Sequence, residues 1–187
     1  MLDSDDKAYF AKLAQTIELK GWERLTRKDI LKDCPQHLEN FAFSTPPKQA
    51  LWGYLFWLID QRLEQTSQGV TSKISLHDAL FEGVMTLFDS IQPFKNFLKI
   101  ALQSYPTQSI SYDLLKQLDD RCQFILENAG ISTANLKGAV RVKVMQLLVA
   151  ASTYVWLEDT SDDQAETMAF VDQKLRQTAE FAGYIGL

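Results

Sequence analysis

Two cysteines and two histidines are all that this 187-residue chain offers to disulfide, zinc or imidazole chemistry. Cys34 and Cys122 lie far apart, with neither a CxxC spacing nor a histidine beside them, so neither a disulfide framework nor a zinc site organises the fold. A reducing cytoplasm is the expected setting. His37 and His77 each stand alone, and no convergent acid, base or nucleophile set can be assembled around them. The chain is therefore expected to be non-enzymatic and to use no metal and no cofactor. His77 falls in the first turn of a helix and reads as a surface or capping residue. A basic excess is missing too: formal net charge is −5, and residues 1–66 carry nine Lys/Arg against ten Asp/Glu. Phosphate neutralisation supplies most non-specific nucleic-acid affinity, so this balance gives DNA binding only weak support. The longest uncharged apolar run, Val144 to Leu157, is about 14 residues, short of the roughly 20 that a membrane-spanning helix needs. It reads as a buried helix. The acidic, polar start, Met1 to Lys7, has none of the features of a secretory signal. No period-two strand pattern, internal repeat or low-complexity tract is present.

What is present is the composition of an ordinary globular protein, 46% hydrophobic and 23% charged, in a chain long enough for one sizeable core. Helical periodicity runs throughout. Phe10, Leu13, Ala14 and Ile17 place a first helix over Asp5–Lys20, stopped by Gly21. Thr26 with Asp29 caps a short helix over Arg27–Asp33, which Pro35 ends, and another follows over Gln36–Ala42. Pro46-Pro47 opens a long fourth helix to Thr66, and residues 67–73 form a polar connection. Ser75 with Asp78 caps a fifth helix, Pro93 starts a sixth, and others follow at Ser111–Asn128, Ala134–Trp156 and Asp162–Ala182. Gly130 closes the first of these three, and Ser161 with Gln164 caps the last. About nine helices packed in layers give an all-α fold. The order of elements is TetR-like: a three-helix, helix-turn-helix head over residues 1–46 and a helical ligand-binding and dimerisation body over 47–187, the two forming one compact unit.

Three features could carry function. In the head, Arg27, Lys28, Gln36, His37, Asn40 and Lys48 are the candidate DNA contacts, since a reading helix must offer amides and cations to base edges and phosphates. The segment from Asp33 to Pro47 contains no Lys or Arg, however, and Glu39 would face the groove. Glu23, Asp29 and Asp33 also balance the cations of the preceding helix, as on a solvated face. In the body, Phe81, Val84, Met85, Phe88, Phe97, Phe124 and Met145 are candidate lining for a pocket, with Phe94, Leu98 and Tyr154 nearby. Aromatics and adaptable Met suit an elongated apolar ligand, and they suit a filled core equally. The last two helices carry apolar stripes through Val144, Leu148, Ala151, Val155, Met168, Val171 and Leu175, extended by Val140 and Leu147. Two such hairpins can form a four-helix bundle about a twofold axis, and packing within one chain would use the same stripes. The acidic cluster Glu158, Asp159, Asp162 and Asp163 before the last helix reads as helix capping rather than as a cation site.

Two stretches are more specific than composition: Leu76–Pro93 (LHDALFEGVMTLFDSIQP) and Tyr154–Leu175 (YVWLEDTSDDQAETMAFVDQKL). Together they resemble the TetR-fold branch of ubiquinone-biosynthesis accessory proteins and their bacterial TetR-like relatives. The likeness is most specific in Trp156-Leu157-Glu158-Asp159, followed by Thr167-Met168-Ala169 and Asp172. The resemblance implies a homodimer with an internal hydrophobic pocket that binds a lipid or isoprenoid and presents it to a partner biosynthetic enzyme, a hydroxylase. The alternative is a ligand-responsive TetR-family transcriptional regulator. TetR regulators place an aromatic pair before a Phe-x-x-Lys step, whereas Ser44-Thr45-Pro46-Pro47 separates Phe43 from Lys48 here. Members that act at membranes carry a further amphipathic C-terminal helix, and only a few residues follow Ala182, so stable membrane association is not expected.

Overall fold

The computed structural model describes residues 4–67, 75–104 and 112–185. They form nine α-helices and, among the described residues, no strand. The helices are α1 (Ser4–Lys20), α2 (Arg27–Leu31), α3 (Gln36–Ser44), α4 (Pro47–Ser67), α5 (Leu76–Ile91), α6 (Lys95–Ser104), α7 (Tyr112–Asn128), α8 (Asn135–Glu158) and α9 (Ala165–Ile185). The expected all-α, nine-helix order is present. Beyond Ser67, the polar connection expected over 67–73 lies outside the described residues.

The caps read from sequence have their physical partners. Thr26 Oγ1 accepts from Asp29 N while Asp29 Oδ2 accepts from Thr26 N, closing a capping box. Ser75 Oγ accepts from Asp78 N and donates to Asp78 Oδ2. Several boundaries differ from expectation by one to three residues. The last helix begins at Ala165, not at Asp162, because Gln164 takes a left-handed φ of 57° and turns the chain first. Ser161 Oγ then accepts from Ala165 N, the first residue of the helix.

By packing, the chain divides into two compact units, residues 1–69 with 89–114 and residues 70–88 with 115–187. Accordingly α4, placed with the body by sequence, packs on α2 and α3 in the first unit, where α1 also lies along α6. The core of this unit is aromatic. Phe10 meets Phe94 and Phe97 edge-on at centroid distances of 4.9 and 4.8 Å, and Trp22 packs on Trp52. Each such buried ring contributes about 1.5–3 kcal/mol through area removed from water. Two hydroxyls add direction: Tyr9 donates to Ile30 O, and Tyr54 donates to the buried Asp6 carboxylate.

The second unit is built on the α8–α9 pair. Trp156, fully buried near the end of α8, packs on Phe88 of α5 at 5.6 Å. α7 ends on Gly130 at φ 79°, with Ile131 N returning to Leu126 O to satisfy the helix terminus. Among the described residues α8 is the one helix long and apolar enough to cross a membrane by length and composition. Its apolar residues Val142, Met145, Leu148, Val149 and Trp156 are buried within the protein, whereas Leu136, Leu147 and Tyr154 are exposed. The first turn of α8 approaches the preceding loop closely, and a Cβ on Gly138 would sit 2.1 Å from the Thr133 carbonyl.

Gly138→Ala should therefore destabilise by about 1–3 kcal/mol through overpacking, despite a helix-propensity gain of about 1 kcal/mol. Gly53→Ala in α4, where the nearest atom is 3.7 Å from the added methyl, should be neutral or stabilising. Chemical denaturation of the two variants checks both, and equal stability of both with the parent would refute the close approach.

Candidate functional site

Four helices of the second unit converge on a cavity of about 380 Å³, within the range of small-molecule sites. Leu76 and Leu80 contribute from one face of α5, Val144, Met145 and Leu148 from α8, and Leu175, Thr178 and Ala179 from α9. Leu126 at the end of α7 and the loop Gly130-Ile131-Ser132 complete the wall. The spacings are those of adjacent turns, so each helix presents a strip of aliphatic carbon. Leu126, Met145, Leu148 and Leu175 are buried, while Leu76 is half exposed and marks the opening. Polar groups are few. Thr178 Oγ1 donates to Lys174 O on its own helix. Arg141 brings the only formal charge in the lining, and its Nη1 donates to Ser132 O at 3.1 Å.

The turn between α8 and α9 sets how these two walls face each other. Asp159 there is buried. Its Oδ1 accepts from Ser161 N and Oγ, and its Oδ2 accepts from Thr167 N and Oγ1. Burial pushes this carboxyl up, but the hydrogen bonds from Ser161 and Thr167 outweigh it and hold it well below the usual carboxylate range. At the other side of the unit, His77 Nε2 of α5 lies 3.3 Å from Asp172 Oδ1 of α9, and Asp172 also pairs with Arg176 at 3.0 Å. Several residues that made this stretch specific in sequence have structural places: Trp156 is buried in the core, Asp159 and Thr167 bond across the turn, and Asp172 pairs with Arg176 on its own helix.

Of the seven residues expected to line a pocket, Met145 lies on the cavity wall. Val84, Met85 and Phe88 are buried along α5, and Phe81 and Phe124 are half-buried. Phe97, like Phe94, belongs to the first unit, where it packs on Phe10 and Trp52; Leu98 is in that unit too. Tyr154 is 75% exposed. Among the residues assigned to a subunit interface, Val144, Leu148 and Leu175 line the cavity. Val171 is buried, Val155 and Met168 are half-buried, and Ala151 is exposed. The outer surface of α8 instead carries Leu136, Val140, Leu147 and Tyr154, all exposed. Val140, Leu147 and Tyr154 recur every seven residues, a signal that was available in the sequence. The role of Leu76, Leu80, Ile131 and Arg141 was not, because they come together only through the packing of four helices.

In the head, Lys28, Gln36, His37 and Asn40 are exposed. Arg27 Nη2 donates to Ala42 O, and Lys48 Nζ donates to Glu23 O while lying 5.8 Å from the centroid of the Trp22 ring. Both cations thus have contacts within the chain. Gln36 and His37 line a cavity within the first unit together with Tyr54 and Trp57, and the His37 ring lies 5.0 Å from that of Trp57. The Lys20 ammonium beside Asp29, with Thr26, holds that carboxyl below its ordinary range. Among the described residues, no group of three His, Cys, Asp or Glu side chains could hold a metal ion.

A family model described as COQ9 matches residues 141–182, most of α8 and α9 with the turn between them. The match supports the resemblance to the ubiquinone-biosynthesis accessory family. No curated protein matches the chain.

Loss of the Asp159 carboxylate should loosen the α8–α9 turn. Asp159→Asn is expected to cost about 2–3 kcal/mol at neutral pH, the scale of charged hydrogen bonds lost from a buried site. Because the folded carboxyl titrates below its unfolded value near 4, its contribution is present above about pH 4 and falls away as the pH drops further. The stability gap between parent and variant should therefore narrow below about pH 4 in urea titrations. A gap independent of pH would show that the charge of Asp159 is not what holds the turn.

Proposed function

We propose that this chain is a non-enzymatic accessory protein of ubiquinone biosynthesis, which holds a lipid- or isoprenoid-like molecule in the cavity of its second unit. The observation that carries this reading is the cavity itself, whose walls are mainly Leu, Val and Met side chains from α5, α7, α8 and α9, with Ile131 from the loop after α7. Apolar surface left open to water is unfavourable, and an apolar molecule would cover it. The wall helices α8 and α9 are also the part of the chain that the COQ9 family model matches. An accessory protein of this kind would act by presenting its ligand to a biosynthetic enzyme, a hydroxylase in the resemblance described above.

The reading includes a homodimer. Val140, Leu147 and Tyr154, with Leu136, leave an apolar stripe on the outside of α8 at heptad spacing. A second copy of the same helix about a twofold axis would cover it, since an isologous contact pairs the stripe with itself. The regulator alternative receives less support. The segment 34–47, which includes all of the would-be reading helix α3, has no Lys or Arg, and Arg27 and Lys48 bind carbonyls of the chain.

Native mass spectrometry of the purified protein, followed by organic extraction, tests the ligand. About one lipid or isoprenoid per chain is expected, and Leu148→Trp, which fills the cavity, should reduce that occupancy several-fold without unfolding the protein. An empty parent that also fails to take up added lipid would sink the reading. The dimer is tested separately by sedimentation: Leu147→Glu should shift the mass toward one chain, and a parent that sediments as a monomer at all concentrations would refute it.

A further inference from the structure

We propose, on the basis of the ligand-binding reading above, that the cavity takes a single-chain amphiphile with an anionic head, and that Arg141 binds that head. An arginine is always charged at physiological pH and presents five N–H donors in a planar fork. Arg141 is half-exposed at the edge of a largely aliphatic wall, where its remaining donors are met by water or by a counter-charge.

The surroundings of Arg141 do not provide a counter-charge. Its one hydrogen bond is from Nη1 to the neutral Ser132 carbonyl, and among the described residues no carboxylate lies within 4 Å of it. Two other cations of the same unit have carboxylate partners: Lys143 pairs with Asp119 at 2.6 Å and Arg176 with Asp172 at 3.0 Å. Glu127, near the end of α7, accepts a hydrogen bond from Thr133 Oγ1. Arg141 thus lines the cavity with one hydrogen bond, to the loop that rims it.

Position along the helices supports a head-and-tail arrangement. Arg141 and Leu148 both line the cavity and are separated along α8 by about 10 Å, at 1.5 Å per residue. α9 returns alongside α8 after a short turn, so Thr178 and Ala179 fall toward the Arg141 end and Leu175 toward the Leu148 end. One end of the cavity therefore combines a guanidinium with the Ser132 and Thr178 side chains, and the other is wholly aliphatic. A carboxylate or a phosphate monoester matches the fork of Arg141 by charge-assisted, two-point hydrogen bonding. The tail would lie along Met145, Leu148 and Leu175.

Calorimetric titration with dodecanoate, dodecyl phosphate and dodecanol tests the assignment, with parent, Arg141→Met and Arg141→Lys side by side. The parent should bind both anionic chains about ten-fold or more tightly than dodecanol, the scale of a charged hydrogen bond. Arg141→Met should lose that preference and keep its affinity for dodecanol, and Arg141→Lys should retain part of it. Whichever anionic chain binds more tightly identifies carboxylate or phosphate as the preferred head. Equal binding of dodecanol and the anions by the parent would overturn the anionic head and leave the apolar cavity standing. A preference that survives in Arg141→Met would overturn the role of Arg141. If none of the three chains binds and the purified protein carries no lipid, the ligand-binding reading itself falls, a result distinct from the other two.

Discussion

A carboxylate taken out of water at the corner of a helical hairpin is the constraint on which the second unit depends. Asp159 is buried at the end of α8, where an unpaired charge would be costly. It is tolerated there because the N–H and hydroxyl groups of Ser161 and Thr167 all point at it. The positive end of the α9 dipole adds to the same balance. These bonds connect α8 to the first turn of α9 across a six-residue turn, so they fix both where the chain reverses and how the second helix is rotated. Rotation decides which residues face inward. With Val171 and Leu175 buried, α9 closes one side of the cavity, and Arg176 stays outside with Asp172.

The two units solve the problem of burying apolar surface with different materials. The first relies on flat rings, Phe10 on Phe94 and Phe97, Trp22 on Trp52, Tyr54 on Trp57. Their polar tips are directed by Tyr9 to Ile30 and Tyr54 to Asp6. Edge-to-face rings fill space well and hold one arrangement. The second unit uses mainly branched and unbranched aliphatic chains around its cavity, with Trp156 and Phe88 packed together elsewhere. Aliphatic walls are indifferent to the orientation of what lies between them, which suits a flexible apolar molecule. In the proposed binding mode, the Arg141 guanidinium would restore direction, because its charge and its planar fork distinguish the two ends of a ligand.

The helices, their order and most of their caps were legible in the sequence. Helical periodicity and capping chemistry are local, settled within about four residues: Thr26 with Asp29 and Ser75 with Asp78 are both contacts of that range. The start of α9 departed from expectation because Gln164 adopts a left-handed backbone, a conformation that Gln rarely takes and that nothing in its identity announces. For the pocket, large aromatic and Met side chains drew attention, yet size measures how much a residue can fill and not whether space remains unfilled. Phe97 shows the difference: it is packed tightly on Phe10 in the first unit.

By itself, then, the sequence determined the class of fold, the run of nine helices and the apolar stripes of the last two, because each follows from spacing along a single chain segment. It also determined the near-neutral charge of the head. Tertiary structure alone decided which stripe faces inward, so that Val144, Leu148 and Leu175 line a cavity while Leu147 and Tyr154 face outward. It alone placed Arg141 beside Ser132 at that cavity. Both outcomes depend on how α5, α7, α8 and α9 are rotated against one another, and that rotation is a property of their joint packing rather than of the spacing within any one helix.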